Sequence, residues 1–115
     1  MLESDIQEFV VNYLRISYPT ALYCASAGGM RTSMRQAIKM KRTGYVKGVP
    51  DLQIFEPRGG YHGLLLEIKT KKGVASLEQK VWRDLLTARG YKAEICKGTD
   101  QCIKVIDDYF NETPG

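Results

Sequence analysis

The segment from Gly63 to Lys69 constrains the fold more than any other, because it contains three consecutive leucines. Its length and composition are typical of a β-strand. Side chains alternate between the two faces of a strand, so leucines at adjacent positions occupy both faces. This pattern predicts a strand that is largely buried, and the rest of the chain must therefore cover it.

Strand patterns occur in residues 22–25, 51–55, 63–69 and 91–96. A turn rich in glycine and proline separates the second from the third, which predicts an antiparallel hairpin. At the C-terminal end a strand, a helix and a strand follow one another, and this order requires a crossover. We therefore expect one α/β domain over residues 1–115, with a central mixed β-sheet flanked by helices.

Apolar residues recur at intervals of three and four in further segments, which predicts amphipathic helices. The first helix is expected to begin with a capping box of Ser4 and Gln7. The next is expected to run from Ser76 to a terminating Gly90, and the last to begin at a Thr99 cap. The stripes expected to face the core are Ile6, Phe9, Val10, Tyr13 and Leu14; Leu77, Val81, Trp82, Leu85 and Ala88; and Cys102, Val105, Ile106, Tyr109 and Phe110.

Two acids and a lysine are expected to meet at one end of the hairpin. Alternation along the strand puts Glu67 and Lys69 on one face. Asp51 begins the preceding strand, and hairpin pairing brings its carboxylate beside Glu67. Carboxylate oxygens are the ligands that Mg²⁺ prefers, and the backbone carbonyl of Ile68 can add another. A cation there would polarise a phosphate and activate water, while Lys69 orients that water or balances charge.

The same residues have a simpler explanation. An aspartate at a strand start is often a turn residue, and Glu-x-Lys on one strand face is often a solvated ion pair. The leucine run argues against this explanation, because burying Glu67 without a partner is strongly unfavourable. A bound cation would remove that penalty.

Five motifs occur in order: an acid near the start of the first helix, Gly48-Val49-Pro50-Asp51, Glu67-Ile68-Lys69, Lys71-Lys72-Gly73, and Ser76-x-x-Gln79-x-x-Trp82. In this pattern the chain resembles the VRR-Nuc family of PD-(D/E)XK nucleases over nearly its whole length. The resemblance implies a restriction-endonuclease-like core and dependence on Mg²⁺, with Mn²⁺ as a substitute. It also implies an endonuclease that selects branched, flapped or four-way junction DNA.

The resemblance also implies roles for individual residues. Asp51 and Glu67 bind the metal, and Lys69 positions the attacking water. An acid of the first helix makes a further contact with metal or water. Glu3 is the preferred candidate for that acid, and Glu8 is the alternative.

Gln79 and Trp82 each have two explanations. The resemblance gives Gln79 a contact in the active site, but Ser76 and Gln79 also form a capping box that would satisfy the start of a helix. Trp82 could stack on a base, but it shares an apolar stripe and is assigned to the core. His62 is assigned to an exposed loop.

A basic stretch without any acid lies between Met30 and Gly48. If residues 33–42 are helical, one face carries four cations that repel one another and gain from binding a polyanion, namely Arg31, Arg35, Lys39 and Arg42. The stretch leads to Asp51, so a phosphate backbone bound there would run toward the metal site. The alternative is a solvated surface. The residues expected to bind nucleic acid are Arg31, Arg35, Lys39, Lys41, Arg42, Lys47, Lys71 and Lys72.

Composition narrows the class of protein. A net charge of +4 suits DNA as a partner. The chain has no apolar run near the roughly 20 residues of a membrane span, and its acidic start is unlike a secretory signal, so we expect a cytoplasmic protein without membrane association. Cys24, Cys96 and Cys102 fit neither a disulfide framework nor a zinc site and are expected to be buried and reduced.

These observations together predict a metal-dependent DNA endonuclease. A catalytically silent nucleic-acid-binding module is the alternative, and a protein-interaction adaptor would need neither the acids nor the cations. Concerted cutting of both strands of a junction needs two centres, which predicts a homodimer. Tyr23, Met30, Met34 and Tyr45 are candidates for its interface.

Overall fold

The computed structural model describes residues 1–27 and 32–115. Its elements are α1 (Glu3–Ser17), β1 (Tyr23–Ala25), α2 (Met34–Arg42), β2 (Leu52–Ile54), β3 (Leu64–Lys69), α3 (Leu77–Ala88), β4 (Lys92–Lys97) and α4 (Gly98–Phe110). Each expected strand is present within one residue at either end. None of the helices in the described residues has the length and apolar character needed to cross a membrane.

The strands of the described chain form one mixed sheet in the order β1-β2-β3-β4. The β1–β2 and β2–β3 pairs are antiparallel, and β3 pairs parallel with β4. α3 makes the crossover that a parallel pair requires. The predicted mixed sheet is therefore confirmed. Every residue of β3 is buried, as the leucine run predicts.

One face of β3 packs against the hydrophobic core that α1 and α4 cover. Burial stabilises a large aliphatic side chain by about 1.5–3 kcal/mol, so this layer contributes most of the apolar stabilisation. The side chains that meet here are Leu64, Leu66 and Ile68 from β3, Ile6, Val10 and Leu14 from α1, and Cys102, Ile106 and Tyr109 from α4. Phe9 was also expected to face the core, but it is 52% exposed, so that assignment is wrong.

Hydrogen bonds to one carboxylate join α1 to α4. Tyr13 Oη and Tyr18 Oη each donate to Asp107 Oδ1 at 2.7 Å. The hydrogen bond to Asp107 raises the pKa of Tyr13, and burial together with the same acceptor raises the pKa of Tyr18. Both hydroxyls therefore stay protonated and donate to a charged acceptor, which is stronger than a neutral hydrogen bond.

α2 and α3 bury no residue of their own. This corrects the assignment of the α3 stripe to the core, because Leu77 is 75% exposed, Val81 46% and Leu85 48%. α3 packs mainly on the edge strand β4, and no described element covers its outer side. The half-buried residues lie on a neighbouring face of the helix and are Gln79, Trp82, Arg83 and Leu86.

The start of α1 differs from the expected one. The helix begins at Glu3, so Ser4 lies inside it and the predicted Ser4–Gln7 capping box is wrong. The Asp5 carboxylate instead accepts a hydrogen bond from the Leu2 N–H at 2.9 Å. An acid within the first turn thus satisfies the N-terminus.

The start of α4 also differs. The helix begins at Gly98, and the Lys97 side chain makes no capping hydrogen bond. The Gln101 side chain accepts from the Lys97 N–H, so Thr99 is not the cap. Gly98 has φ +81°, which glycine adopts readily where the chain turns from β4 into the helix.

The cysteines agree only in part with the expectation. Cys96 and Cys102 are buried and free, whereas Cys24 is exposed, which corrects its assignment. Cys24 lies on β1, an edge strand that is poorly covered. The hydrogen bond with Cys102 and burial raise the pKa of the Cys96 thiol, so it stays protonated.

Candidate active site

The C-terminal half of β3 carries an acid and an amine that are both buried. Glu67 is 3% exposed and Lys69 9%, and they share one face of the strand. Lys69 Nζ lies 3.7 Å from Glu67 Oε2. Charged side chains are seldom buried unless they are paired or bind a metal. The explanation as a solvated pair is therefore wrong.

Asp51 lies beside Glu67 at the start of the hairpin. The register pairs Leu52 with Leu66, so the next residues along the two strands, Asp51 and Glu67, are opposite one another. Asp51 Oδ2 accepts a hydrogen bond from the Ile68 N–H at 2.8 Å. The Asp51 side chain is thus held against β3. A residue that only stabilises a turn would not make this contact.

Gln79 makes both of the contacts considered for it. Its Oε1 accepts from the Ser76 N–H at 2.8 Å, and Ser76 Oγ accepts from the Gln79 N–H at 3.2 Å, which forms the capping box of α3. Its Nε2 donates to Glu67 Oε2 at 2.9 Å. The two explanations hold together, because an amide side chain has an acceptor at one end and a donor at the other.

The second carboxylate oxygen of Glu67, Oε1, is buried and has no hydrogen-bonding partner among the described residues. Burial raises the pKa of Glu67 to about 9; the nearby Asp51 adds to this rise, since it can accept a hydrogen bond from a protonated Glu67 and repels a charged one, and Lys69 opposes it. Without a cation, Glu67 and Asp51 are therefore not both charged at neutral pH, and Glu67 keeps a proton. A cation beside Oε1 would satisfy both the oxygen and the charge.

A cavity of about 240 Å³ opens onto these side chains. Glu3 of α1 lines it with Asp51 and Glu67, and the charge of Glu3 also raises the pKa of Glu67. Glu8 lines a neighbouring cavity of about 440 Å³, to which Glu3 and Asp51 also contribute. Of the two candidate acids, Glu3 is the one that the structure brings to Glu67.

Tyr45 and Ser76 line the same cavity, although neither was expected in the site. Tyr45 is instead among the interface candidates. The Tyr45 N–H donates to the Met40 carbonyl at 2.9 Å, which turns the chain from the end of α2 toward the cavity. The capping box is a sequence signal for Ser76, but no sequence signal indicates Tyr45.

The loop before Asp51 packs closely against α3. Gly48 has φ +100°, and a Cβ there would lie 2.7 Å from Trp82 Cδ1 and 2.8 Å from the Glu78 backbone. Only glycine fits such a position. Trp82 Nε1 donates to the Lys47 carbonyl at 3.1 Å. Trp82 is half-buried and holds this loop, which corrects its assignment to the core.

The helix considered for residues 33–42 of the basic stretch is present as α2. Arg35, Lys39 and Arg42 line one groove along its surface. Lys41 is exposed on an adjacent side of the helix. Arg31 lies outside the described residues. Arg35, Lys39 and Arg42 therefore form one charged face of α2, and Lys41 does not belong to it.

The other expected nucleic-acid contacts lie elsewhere. Lys47 lines the active-site cavity, and its Nζ is 3.7 Å from Glu78 Oε1 in an exposed ion pair. Lys71 and Lys72 follow β3 and line a separate cavity of about 470 Å³. The structure thus groups the cations into three places and does not bring them into one patch.

The oxygen donors of the site suit a hard cation. Among the residues described, no group of three or more His, Cys, Asp or Glu side chains is arranged to hold a metal on its own. Mg²⁺ keeps several waters and typically takes one or two carboxylates with substrate phosphate. Asp51 and Glu67, with the unpartnered Oε1, match that smaller donor set.

The family model of the VRR-NUC domain matches residues 5–100. The chain therefore belongs to the VRR-NUC domain family, as its motifs indicate. Membership implies a nuclease-type function that acts on DNA. No curated protein matches the chain.

Solved structures of the same family share the fold. One, described as a VRR_NUC domain protein, is 31% identical with a TM-score of 0.83, over 99% of this chain and 92% of that chain. Another, described as a VRR_NUC domain, is 19% identical with a TM-score of 0.60, over 93% of this chain and 96% of that chain. The second likeness shows the fold alone. The expected α/β fold is confirmed.

Proposed function

We propose that this chain is a Mg²⁺-dependent endodeoxyribonuclease that hydrolyses phosphodiester bonds in branched, flapped or four-way junction DNA, with Mn²⁺ able to replace Mg²⁺. The observation that carries the proposal is the buried, unpartnered Oε1 of Glu67 beside Asp51. In a module that only binds DNA, a buried oxygen without a partner would destabilise the fold and would have no function. This disfavours the catalytically silent alternative.

Asp51 and Glu67 would hold the metal, with the backbone carbonyl of Ile68 as a further oxygen ligand. When bound, Mg²⁺ acts as a Lewis acid toward the phosphate and lowers the pKa of water. The hydrogen bond from the Ile68 N–H fixes Asp51 against β3, and Gln79 fixes Glu67. Ligands that are already oriented lose less entropy when a metal binds.

Lys69 is the residue proposed to act on the water and the phosphate. Its ammonium group lies in the same buried layer as Glu67, where charges interact more strongly than in water. It can orient the attacking water and balance the negative charge that develops on the phosphate. Gln79 acts through Glu67 and is a positioning residue. Glu3 offers a further contact to metal or water at the rim of the cavity.

The direct test uses Asp51→Asn and Glu67→Gln, because each removes a ligand charge and keeps the size of the side chain. We expect either variant to lose at least about a hundredfold in cleavage and to bind DNA as the parent does. Glu94→Gln is the matched control, since it places the same substitution on β4, outside the cavity lining.

The assay follows cleavage of linear, flapped and four-way junction DNA with Mg²⁺, with Mn²⁺ and with EDTA. Cleavage only with a metal and mainly of the branched substrates is the expected result. Cleavage near the parent rate in Asp51→Asn or Glu67→Gln would overturn the site assignment. Tight DNA binding by the parent without cleavage of any substrate would favour the silent module.

We also propose that the chain acts as a homodimer, because cutting both strands of a branched junction in concert needs two centres held in a fixed relation. Among the residues expected at the interface, Tyr45 lines the cavity and Met30 lies outside the described residues. The exposed stripe of α3 offers a larger apolar surface, formed by Leu77, Val81 and Leu85. Two-fold pairing would bury this stripe from both copies.

Light scattering at micromolar concentration tests the dimer directly. The expected mass is twice the 13.0 kDa of one chain, falling to one chain when Val81 and Leu85 are both replaced by Asp. The monomer mass in the parent, at low and at moderate salt, would defeat the dimer and leave the active-site proposal intact.

A further inference from the structure

α2 exposes two large apolar side chains within its cationic face. Met34 is 82% exposed and Ile38 60%, and both line the same groove, of about 490 Å³, as Arg35, Lys39 and Arg42. The two apolar residues are one helical turn apart, so they form a single ridge. Exposed apolar surface of this kind is typical of a binding site when it is contiguous.

The surroundings of α2 leave this ridge open. The helix contains no acid and buries none of its residues. Its N-terminus is satisfied locally by a capping box in which Ser33 Oγ accepts from the Gln36 N–H at 3.1 Å. A helix this short is marginal by itself, and the apolar residues on its outer side contribute no packing that would stabilise it.

The combination of apolar and cationic groups limits the chemistry of the ligand. Cations bind phosphates in any nucleic acid. Met and Ile have no favourable contact with phosphates, but they pack well on the flat face of a base. In a continuous duplex the base faces are stacked and hidden. They become accessible where strands separate, at a fork, a flap or a junction.

Building on the nuclease function proposed above, we propose that α2 recognises the branch point of its DNA substrate. Met34 and Ile38 pack against a base that is unstacked there, while Arg35, Lys39 and Arg42 bind the adjoining phosphates. The ridge thus provides the preference for branched over linear DNA, and the cations provide affinity for both.

The position of α2 suits this role. The Tyr45 N–H bonds the Met40 carbonyl of the helix, and Tyr45 lines the active-site cavity. Lys47 follows shortly after and lines the same cavity. The chain thus passes from the end of α2 into the lining of the cavity, and a DNA strand that leaves the duplex at α2 would continue toward the cavity. Recognition of the branch and cleavage next to it would be coupled in space.

The test compares three variants by fluorescence anisotropy, in EDTA so that binding is measured without cleavage. Met34→Ala/Ile38→Ala removes the ridge, and Arg35→Ala/Lys39→Ala removes cations. Ile16→Ala is the matched control, because Ile16 is 81% exposed on α1, outside the α2 groove. The DNA ligands are a linear duplex and a flapped duplex of the same sequence, the latter with 2-aminopurine at the branch point.

We expect the ridge variant to lose about tenfold in affinity for the flapped duplex, as befits one lost base contact, with no change for the linear duplex. The dependence of log affinity on log salt should be unchanged. The cation variant should weaken both ligands, with a slope flatter by roughly 0.9 per lost phosphate contact. The 2-aminopurine signal should change on binding the parent and the control, but not the ridge variant.

Equal losses for the two DNA ligands, or no loss for either, would overturn the proposal. A change from dimer to monomer mass in the ridge variant with DNA binding intact would assign the ridge to a second copy of the chain. Loss of binding to phosphatidylserine vesicles with DNA binding intact would assign it to a membrane. A preference for flapped DNA that depends on the ridge in a protein without cleavage activity would sustain this proposal while removing the nuclease.

Discussion

α1 and α4 differ from α2 and α3 in what they bury. The first pair places apolar stripes against β3, whereas the second pair buries no residue. α2 and α3 instead carry cations, the glutamine that contacts Glu67, and the tryptophan that holds the loop at Gly48. The difference indicates that α1 and α4 supply most of the apolar packing, whereas α3 and the loop after α2 supply side chains of the proposed site, to which α1 adds only Glu3 at its first residue.

β3 contributes to both the packing and the proposed site, because its residues alternate. Leu64, Leu66 and Ile68 face the core, and Glu67 and Lys69 face the cavity side. A well-packed layer behind the strand restricts its movement. The buried charges are thus held in position by side chains that have no role in the chemistry.

The largest effect on stability is expected when the same substitution, isoleucine to alanine, is made in a core-packing helix and in an exposed one. Ile106 of α4 is fully buried, and Ile38 of α2 is 60% exposed. Ile106→Ala should lower the free energy of unfolding by about 2–5 kcal/mol. Ile38→Ala should change it by no more than about 0.5 kcal/mol. Urea unfolding without DNA measures both, and similar losses in the two variants would break the comparison.

The next prediction concerns the free energy of unfolding that the protein loses by burying Glu67. A glutamate in an unfolded chain has a pKa of about 4.3, whereas burial raises the pKa of Glu67 to about 9 in the folded protein. Between these values the folded protein holds a proton that the unfolded chain has lost. The stability of the metal-free protein should therefore fall as pH rises through this window.

Glu67→Gln should remove this dependence. In EDTA at pH 7 the variant should be more stable than the parent by up to about 4 kcal/mol, and at pH 4 the two should be nearly equal. Mg²⁺ should stabilise the parent and not the variant. Urea titrations across the pH range measure this. A parent that is the more stable of the two at pH 7 without metal would show that Glu67 is already satisfied.

Two glycine-to-alanine substitutions measure how much the contact between the loop before Asp51 and α3 contributes to stability and activity. Gly48 and Gly44 both have positive φ, but only Gly48 would place a Cβ against Trp82, while Gly44 has nothing within 4 Å. Both alanine variants should lose about 1 kcal/mol from backbone strain. Gly48→Ala should lose about 1 kcal/mol more and most of the cleavage activity. Equal stability and equal activity in the two variants would contradict this role for the loop.

The smallest effect is expected at the exposed ion pair between Lys47 and Glu78. Because both residues are well exposed, Glu78→Gln should leave the unfolding midpoint unchanged. It removes an acid near the cavity and releases Lys47, so DNA should bind about threefold more tightly at low salt. Asp84→Asn on the outer part of α3 is the control. An unchanged affinity in Glu78→Gln would mean that Lys47 does not contact DNA.

Much of the fold could be predicted because its signals are local. The buried β3, the hairpin and the crossover follow from residue alternation and turn composition, and α4 buries the stripe that its periodicity indicates. The exposure of Leu77, Val81 and Leu85 could not be predicted, because apolar periodicity marks a face but not what covers it. That depends on where α3 lies relative to the edge of the sheet.

The candidate site could also be predicted where its signals are local, but not where it depends on contacts between distant segments. Asp51, Glu67 and Lys69 are brought together by strand register, which the sequence specifies through alternation. Tyr45 enters the cavity only because the loop turns back at the end of α2 and packs on α3 at Gly48. Such a close approach between distant segments leaves no periodic signal in the chain.

The double hydrogen bond of Gln79 also limits which residue can occupy its position. A helix cap of this type accepts either glutamate or glutamine at the third helical residue, since both supply the acceptor oxygen. Here the far end of the side chain must donate to Glu67 Oε2, and a carboxylate would present another anion to it. The cap also determines the orientation of the amide, because Oε1 is held by the Ser76 N–H and only Nε2 can point at Glu67. Glutamate and glutamine would cap α3 equally well, but the contact with Glu67 of β3 requires glutamine.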